Sequence, residues 1–184
     1  MRTALLIVDM QNSFLHPDGG NYYPDVAPVI ENCASLLEAA RAAGTTVVHI
    51  ADRHRAGVHD FEENVLPRHC VHGEFDAAFF EGFGPNGAPN EIEIVKRRFS
   101  AFFATDLALF LNEQTVERVV ICGVKANVCV RATAQDAFGH GFEVSVARDA
   151  TNSNQTHLAE ASLEDIERYM GRLVTTDAAK GFLA

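Results

Sequence analysis

Short apolar runs rich in Val and Ile recur along the chain: ALLIVDM, TTVVHIA, EIEIVK, RVVICG, FEVSVAR and the weaker RLVTT. Most lack the strict alternation of a half-exposed strand, which predicts strands buried on both faces of a mainly parallel sheet. Between these runs the period lengthens to that of a helix. Ile30, Cys33, Leu37 and Ala40 share one helical face, with Gly44 placed to stop it. Val130, Ala134, Ala137 and Phe138 make a second face that ends near Gly139 and Gly141, and Ala159, Leu163, Ile166 and Met170 make a third. The βαβα succession predicts an α/β fold with three layers, α/β/α, around an open doubly wound sheet. With 184 residues and no tract that reads as a linker, the expectation is one domain over residues 1–184. The segment 52–90 breaks the pattern, being long, poorly periodic and rich in His, Pro, Gly and Phe. Loops of that length in compact domains usually carry function.

Charge and cysteine usage narrow the classes. A formal charge of −10, with no basic run longer than the KRR of Lys96–Arg98, opposes binding to nucleic acid or to an anionic membrane surface. No stretch approaches the roughly 20 apolar residues that span a bilayer. The start, MRTALLIVDMQ, meets an acid too early for a secretory leader, so a cytoplasmic location is expected. Cys33, Cys70, Cys122 and Cys129 contain no CxxC pair, and in that compartment they read as free thiols. Cys33 and Cys122 fall in apolar patterns and read as core; Cys70 has no assigned role.

In a doubly wound sheet the ligand crevice lies beyond the carboxyl ends of the strands. Asp9 closes ALLIVD, Lys96 closes EIEIVK, and Cys129 follows VVICG by one loop, at the first turn of a helix. A thiol near a helix N-terminus and an ammonium is expected to have its pKa drawn below the free value of about 8.5. Asp9 could accept its proton and return it to a leaving amine, as acyl transfer through a covalent intermediate requires. Spacing alone leaves a blander set open: a capping Asp, a solvated Lys and a packed Cys.

Three stretches carry a resemblance: LLIVDMQNSF, IVKRRFSAFFATDL and VVICGVKANVCVRATAQDAFGHGFEVSVARDAT. In order and separation they resemble the isochorismatase-like cysteine hydrolase superfamily, which includes nicotinamidases and N-carbamoylsarcosine amidase. The resemblance implies a parallel sheet of about six strands and a catalytic triad of Asp9, Lys96 and Cys129. It also implies a cis peptide between Val124 and Lys125, with the Lys125 and Cys129 amides as oxyanion hole. Phe14 matches the aromatic of the first loop and, with Val124, is implied in substrate binding. The implied reaction splits a small carboxamide, carbamoyl or ureido compound to acid plus ammonia. The implied assembly is a homo-oligomer, dimer or tetramer.

The same resemblance matches Asp52, His54 and His69 to the positions that bind a divalent metal in nicotinamidase-type members, with His59 as an extra candidate. Zinc, iron and manganese are not ranked by a ligand set of this mixed type, and metal-free relatives carry similar text. Nicotinamidases have Trp where this chain has Arg53 and Leu66, which weakens a nicotinamide assignment. Ala126 is shared with vinyl ether hydrolases of the superfamily, which lack the nucleophilic cysteine; Cys129 therefore favours amide hydrolysis. A non-catalytic member that keeps only the pocket is the alternative from another class. Lys125 stands where most members have a small residue. It either faces the pocket and favours a substrate carboxylate or lies in solvent, and solvent is the expectation. GFGPNG at Gly82–Gly87 fits a dinucleotide-binding text but follows no strand and opens no helix.

Overall fold

A computed structural model describes residues 1–184. Six strands form one parallel sheet: β1 (Thr3–Val8), β2 (Thr46–Asp52), β3 (Glu91–Lys96), β4 (Arg118–Val124), β5 (Glu143–Asn152) and β6 (Arg172–Val174), in the order β3-β2-β1-β4-β5-β6. All six predicted strands are present. The order reverses between β1 and β4, so the crevice expected of a doubly wound sheet opens between those two carboxyl ends.

The helices are α1 (Asn12–Leu15), α2 (Ala27–Ala43), α3 (Leu107–Glu113), α4 (Arg131–Gly139), α5 (Thr156–Tyr169) and α6 (Thr176–Leu183). The alternation of β1 shows how they make layers. Leu5 and Ile7 face a core shared with Val29, Cys33, Leu36 and Leu37 of α2 and Ala179 and Leu183 of α6. Ala4, Leu6 and Val8 face the opposite core, shared with Leu111 of α3, Ala134 of α4 and Ile166 of α5. Every residue of β1 is buried, as a central parallel strand covered on both sides must be. Burying each large aliphatic side chain contributes about 1.5–3 kcal/mol, so both helical layers are needed to hold the sheet. No helix is long and apolar enough to cross a membrane.

Gly44 stops α2 as its position predicts: it adopts φ 69°, and Thr45 N–H donates back to Ala40 at 2.9 Å. Phe138 departs from the predicted face. It is 55% exposed, because the buried stripe of α4 is confined to Thr133, Ala134 and Ala137, and the last turn faces solvent. Helices α1, α3 and α6 are additional to those predicted.

Strand β3 lies at the sheet edge, and here alternation does appear. Ile94 and Lys96 are buried on one face, while Glu93 and Val95 are exposed on the other. That alternation turns the Lys96 side chain inward. The long segment after β2 is fixed from a distance: Gln11, wholly buried, donates through Nε2 to the carbonyls of Asp52 (2.8 Å) and Ala77 (2.9 Å) and accepts from Asp52 N–H (2.8 Å).

Gly123 joins the sheet to the site. It pairs with Val8 across β1 and β4 at φ 111°, and a Cβ there would lie 2.1 Å from the Val8 carbonyl oxygen. The atoms it would meet are all backbone of Val8 in the central strand, which leaves nothing flexible to yield. Gly123→Ala is expected to cost ~4 kcal/mol or more, read as a lowered urea midpoint at unchanged slope.

Candidate active site

Three strand ends bring Asp9, Lys96 and Cys129 together. Asp9 follows β1 in a left-handed conformation, φ 53°, with its N–H donating to Ile50 at 3.0 Å. This conformation is uncommon outside glycine, and Asp is among the residues that tolerate it. Lys96 Nζ lies 3.0 Å from Asp9 Oδ2 and donates to Cys129 Sγ at 3.4 Å. Asp9 and Lys96 are fully enclosed, at 0% and 1% exposure, whereas Cys129 is 7% exposed and lines a cavity of about 360 Å³. The sulfur therefore faces the cavity with the ion pair behind it. Val124–Lys125 is a cis peptide, and a wide helical turn, Ala126–Val130, leads from it into α4.

The protonation pattern differs from the expectation of an acidified thiol. Burial is the largest influence on Cys129 and Asp9 the next; both raise its pKa, and Lys96 offsets them only in part. An ammonium and a helix start both favour a thiolate, but the carboxylate shares that ammonium. Burial also raises Asp9, against the pull of Lys96, to about 6. Burial disfavours the ammonium of Lys96, yet Asp9 above all keeps it charged, well above the ordinary lysine range. At neutral pH the set is carboxylate, ammonium and thiol.

Phe14 lines the cavity, together with Leu66, Pro67, Phe99 and Val128. The Val124 side chain does not; it is wholly buried in the core on the α2 side. Lys125 is half-buried and lines the cavity, which corrects the expectation of a solvated side chain. Cys33 and Cys122 are core, as expected, and Cys70 is also wholly buried.

A second cluster adjoins the cavity. One potential ligand atom from each of Asp52, His54 and His69 lies within 4.8 Å of the others. His69 Nδ1 is 2.8 Å from the Pro67 carbonyl, which fixes that nitrogen as the donor and leaves Nε2, 3.2 Å from Asp52, as the free lone pair of the neutral ring. His54 Nδ1 faces Asp60 at 3.1 Å, and its Nε2 lies between Asp52 (3.4 Å) and Glu62 (3.7 Å). Asp52 Oδ1, both His54 nitrogens and Glu62 Oε1 are buried without an aligned hydrogen bond. Orphaned atoms of the His54 imidazole and the Asp52 carboxylate, with His69 Nε2 beside them, fit a divalent cation. His59 is not part of the group; it is exposed and paired with Glu63 at 3.1 Å.

Without an ion, protons balance the cluster. The Asp52 carboxylate beside it raises His54 to about 9 despite its burial. Burial opposes charge on Asp52, but Lys96 and the two histidines overcome it and hold the carboxyl below the usual range. Asp60 and Glu62 were not singled out from the sequence. The DFEE text gave one signal, since Asp60 caps the short turn Phe61–Asn64 by accepting from Glu62 N–H at 3.1 Å.

Comparison with known proteins accords with this geometry. Residues 3–178 match the Isochorismatase domain. Maleamate amidohydrolase of Pseudomonas putida is 36% identical over 184 residues, covering 97% of this chain and 85% of the relative. An isochorismatase-like hydrolase from Alkaliphilus metalliredigens superposes with a TM-score of 0.91 at 30% identity over the whole of both chains. Pyrazinamidase of Pyrococcus horikoshii in complex with zinc superposes with a TM-score of 0.85 at 33% identity, covering 95% of this chain and 99% of that one. The chain belongs to the isochorismatase family.

Proposed function

We propose that the protein is a cysteine amidohydrolase that converts a small carboxamide, carbamoyl or ureido compound to an acid and ammonia. The carrying observation is one ammonium, Lys96, 3.0 Å from a carboxylate and 3.4 Å from a sulfur that faces the cavity. A relative named maleamate amidohydrolase supports an amide as substrate.

As the substrate carbonyl approaches Sγ, the thiol proton passes to Asp9 and the S–C bond forms. Lys96 keeps its charge throughout and compensates whichever partner is anionic. The oxyanion is assigned to the backbone N–H groups of Lys125 and Cys129. Asp9 then delivers its proton to the nitrogen, the C–N bond breaks and ammonia leaves a thioester. Water gives a proton to Asp9 and attacks the thioester carbonyl; the released sulfur recovers that proton. Formation of the thiolate is thus tied to attack, which agrees with a thiol whose pKa lies high at rest.

Cys129→Ala is expected to abolish ammonia release while leaving the urea unfolding curve near that of the wild type; retained turnover would exclude the covalent route. Asp9 must be ionised to take the proton, and its pKa is raised to about 6. On its acid side kcat/KM should therefore fall about tenfold per unit below pH 6 and be retained above it. A profile flat to pH 4 would remove Asp9 as the base.

A second reading, a metal-containing amidase, is favoured by the donor set of the adjoining cluster. Asp52, His54 and His69 would hold the divalent ion, which would supply Lewis-acid charge beside the cavity. Addition of zinc or manganese to chelator-treated protein is expected to raise Tm at one ion per chain by elemental analysis, and Asp52→Ala to lose that response. Equal thermal shifts in both proteins would refute the assignment.

A further inference from the structure

The cavity wall contains one cation without a partner. Cys129 shares the wall with six apolar residues, among them Phe14, Leu66 and Phe99, and with Lys125 and Arg131. Arg131 is engaged, pairing with Asp165 and donating to Gln135. Asp52, the cavity's carboxylate, is engaged with His69. Lys125 makes no ion pair or side-chain hydrogen bond in the molecule. Its Nζ rests 5.2 Å from the Tyr23 ring centre and 5.9 Å from that of Phe14. The two rings hold the ammonium in place over apolar surface but leave its proton donors unused.

Burial pulls the Lys125 pKa down, and Cys129, when ionised, is the group that acts against that pull. A half-buried ammonium with idle donors, on the same wall as the reacting sulfur, is matched by an anion that arrives with the ligand. A cavity of about 360 Å³ lies toward the small end of ligand sites, so that anion and the scissile carbonyl belong to one compact molecule.

We propose that Lys125 is a specificity residue that receives a carboxylate carried by the substrate, which makes the preferred substrates amides of small acids that keep one free carboxylate. The assignment rests on the amidohydrolase reading for its chemistry. Its binding claim stands separately. The carboxylate pairs with Lys125 Nζ while the amide carbonyl lies against Cys129 Sγ, so the ammonium binds and orients and takes no part in proton transfer. An uncharged amide of the same size would leave Lys125 unpaired and lose that orientation.

Two measurements distinguish the possible failures. Ammonia release is compared for maleamic acid and for the analogue in which a methyl group replaces its carboxylate. The wild type is expected to prefer the acid by about 10–100-fold in kcat/KM, Lys125→Met to reduce that preference at least tenfold, chiefly through KM, and Lys125→Arg to keep most of it. Separately, calorimetry measures maleamic acid binding to Cys129→Ala protein, with Lys125→Met expected to weaken Kd about tenfold or more. Binding that depends on Lys125 without wild-type turnover would overturn the amidohydrolase reading and support this one. Turnover with no preference for the acid, or with a preference and Kd unaffected by Lys125→Met, would overturn the role of Lys125 and leave the amidohydrolase standing.

Discussion

The site depends on an ammonium enclosed where water does not reach. Lys96 is 1% exposed, and an ion taken from water into such a place costs several kcal/mol unless an opposite charge meets it. Asp9 meets it at 3.0 Å, and Cys129 offers a second, weaker acceptor at 3.4 Å. Two potential anions thus compete for one cation. Both cannot ionise cheaply in the same dry volume, so the carboxylate takes the charge at rest and the sulfur keeps its proton. An anion is then always available to Lys96, whichever partner bears it. A proton moving from sulfur to carboxylate changes the position of the negative charge without changing the total.

The topology makes this arrangement reachable. Asp9 and Cys129 leave neighbouring strands at the reversal of the strand order, and Lys96 crosses beneath them from the sheet edge. Its four-carbon stem runs among apolar neighbours on the face that carries Ile94, so only the terminal nitrogen needs a polar environment. Outward from Lys96, charge alternates in sign through Asp52, His54 and Asp60 to Arg98, which lies 2.8 Å from Asp60 at the protein surface. Each carboxylate in that sequence has a cationic neighbour. The loop that carries Asp60 and His69 can therefore bring acids close to Asp9 and Lys96 without leaving any of them uncompensated.

Much of this was legible in the chain. The six apolar runs are the six strands, and the residues that end two of them, Asp9 and Lys96, are the ones the crevice rule selects. What escaped notice has identifiable causes. Helix α1 is four residues long, too short for a period to show, and α3 has Leu or Phe on several faces, with Leu109 61% exposed, so no stripe stands out. Helix α6 did carry a signal: Thr175 caps it by accepting from Ala178 N–H at 3.2 Å. Segment 52–90 is tied down by bonds to Gln11, more than 40 residues away, which no local window contains. The thiol's protonation is hidden from the sequence for a similar reason. Local text gives Cys129 a helix start and the crevice rule gives it an ammonium, but only folded distances reveal that Asp9 already occupies that ammonium.

The stretch from Gly123 to Cys129 divides its tasks residue by residue. Gly123 lets β4 lie against Val8, Val124 enters the core, Lys125 turns to the cavity, and Cys129 sits between the cavity and the ion pair. Neither Asp9 nor Lys96 lines the cavity. A ligand in the cavity therefore meets Cys129 and the wall first, with the ion pair of Asp9 and Lys96 directly behind the sulfur. A change at position 125 alters the charge of the wall through a side chain that touches neither Asp9 nor Lys96. This separation keeps the acid, the amine and the thiol fixed while the wall beside them is free to vary, so the charge of the wall can change at position 125 with the buried ion pair undisturbed.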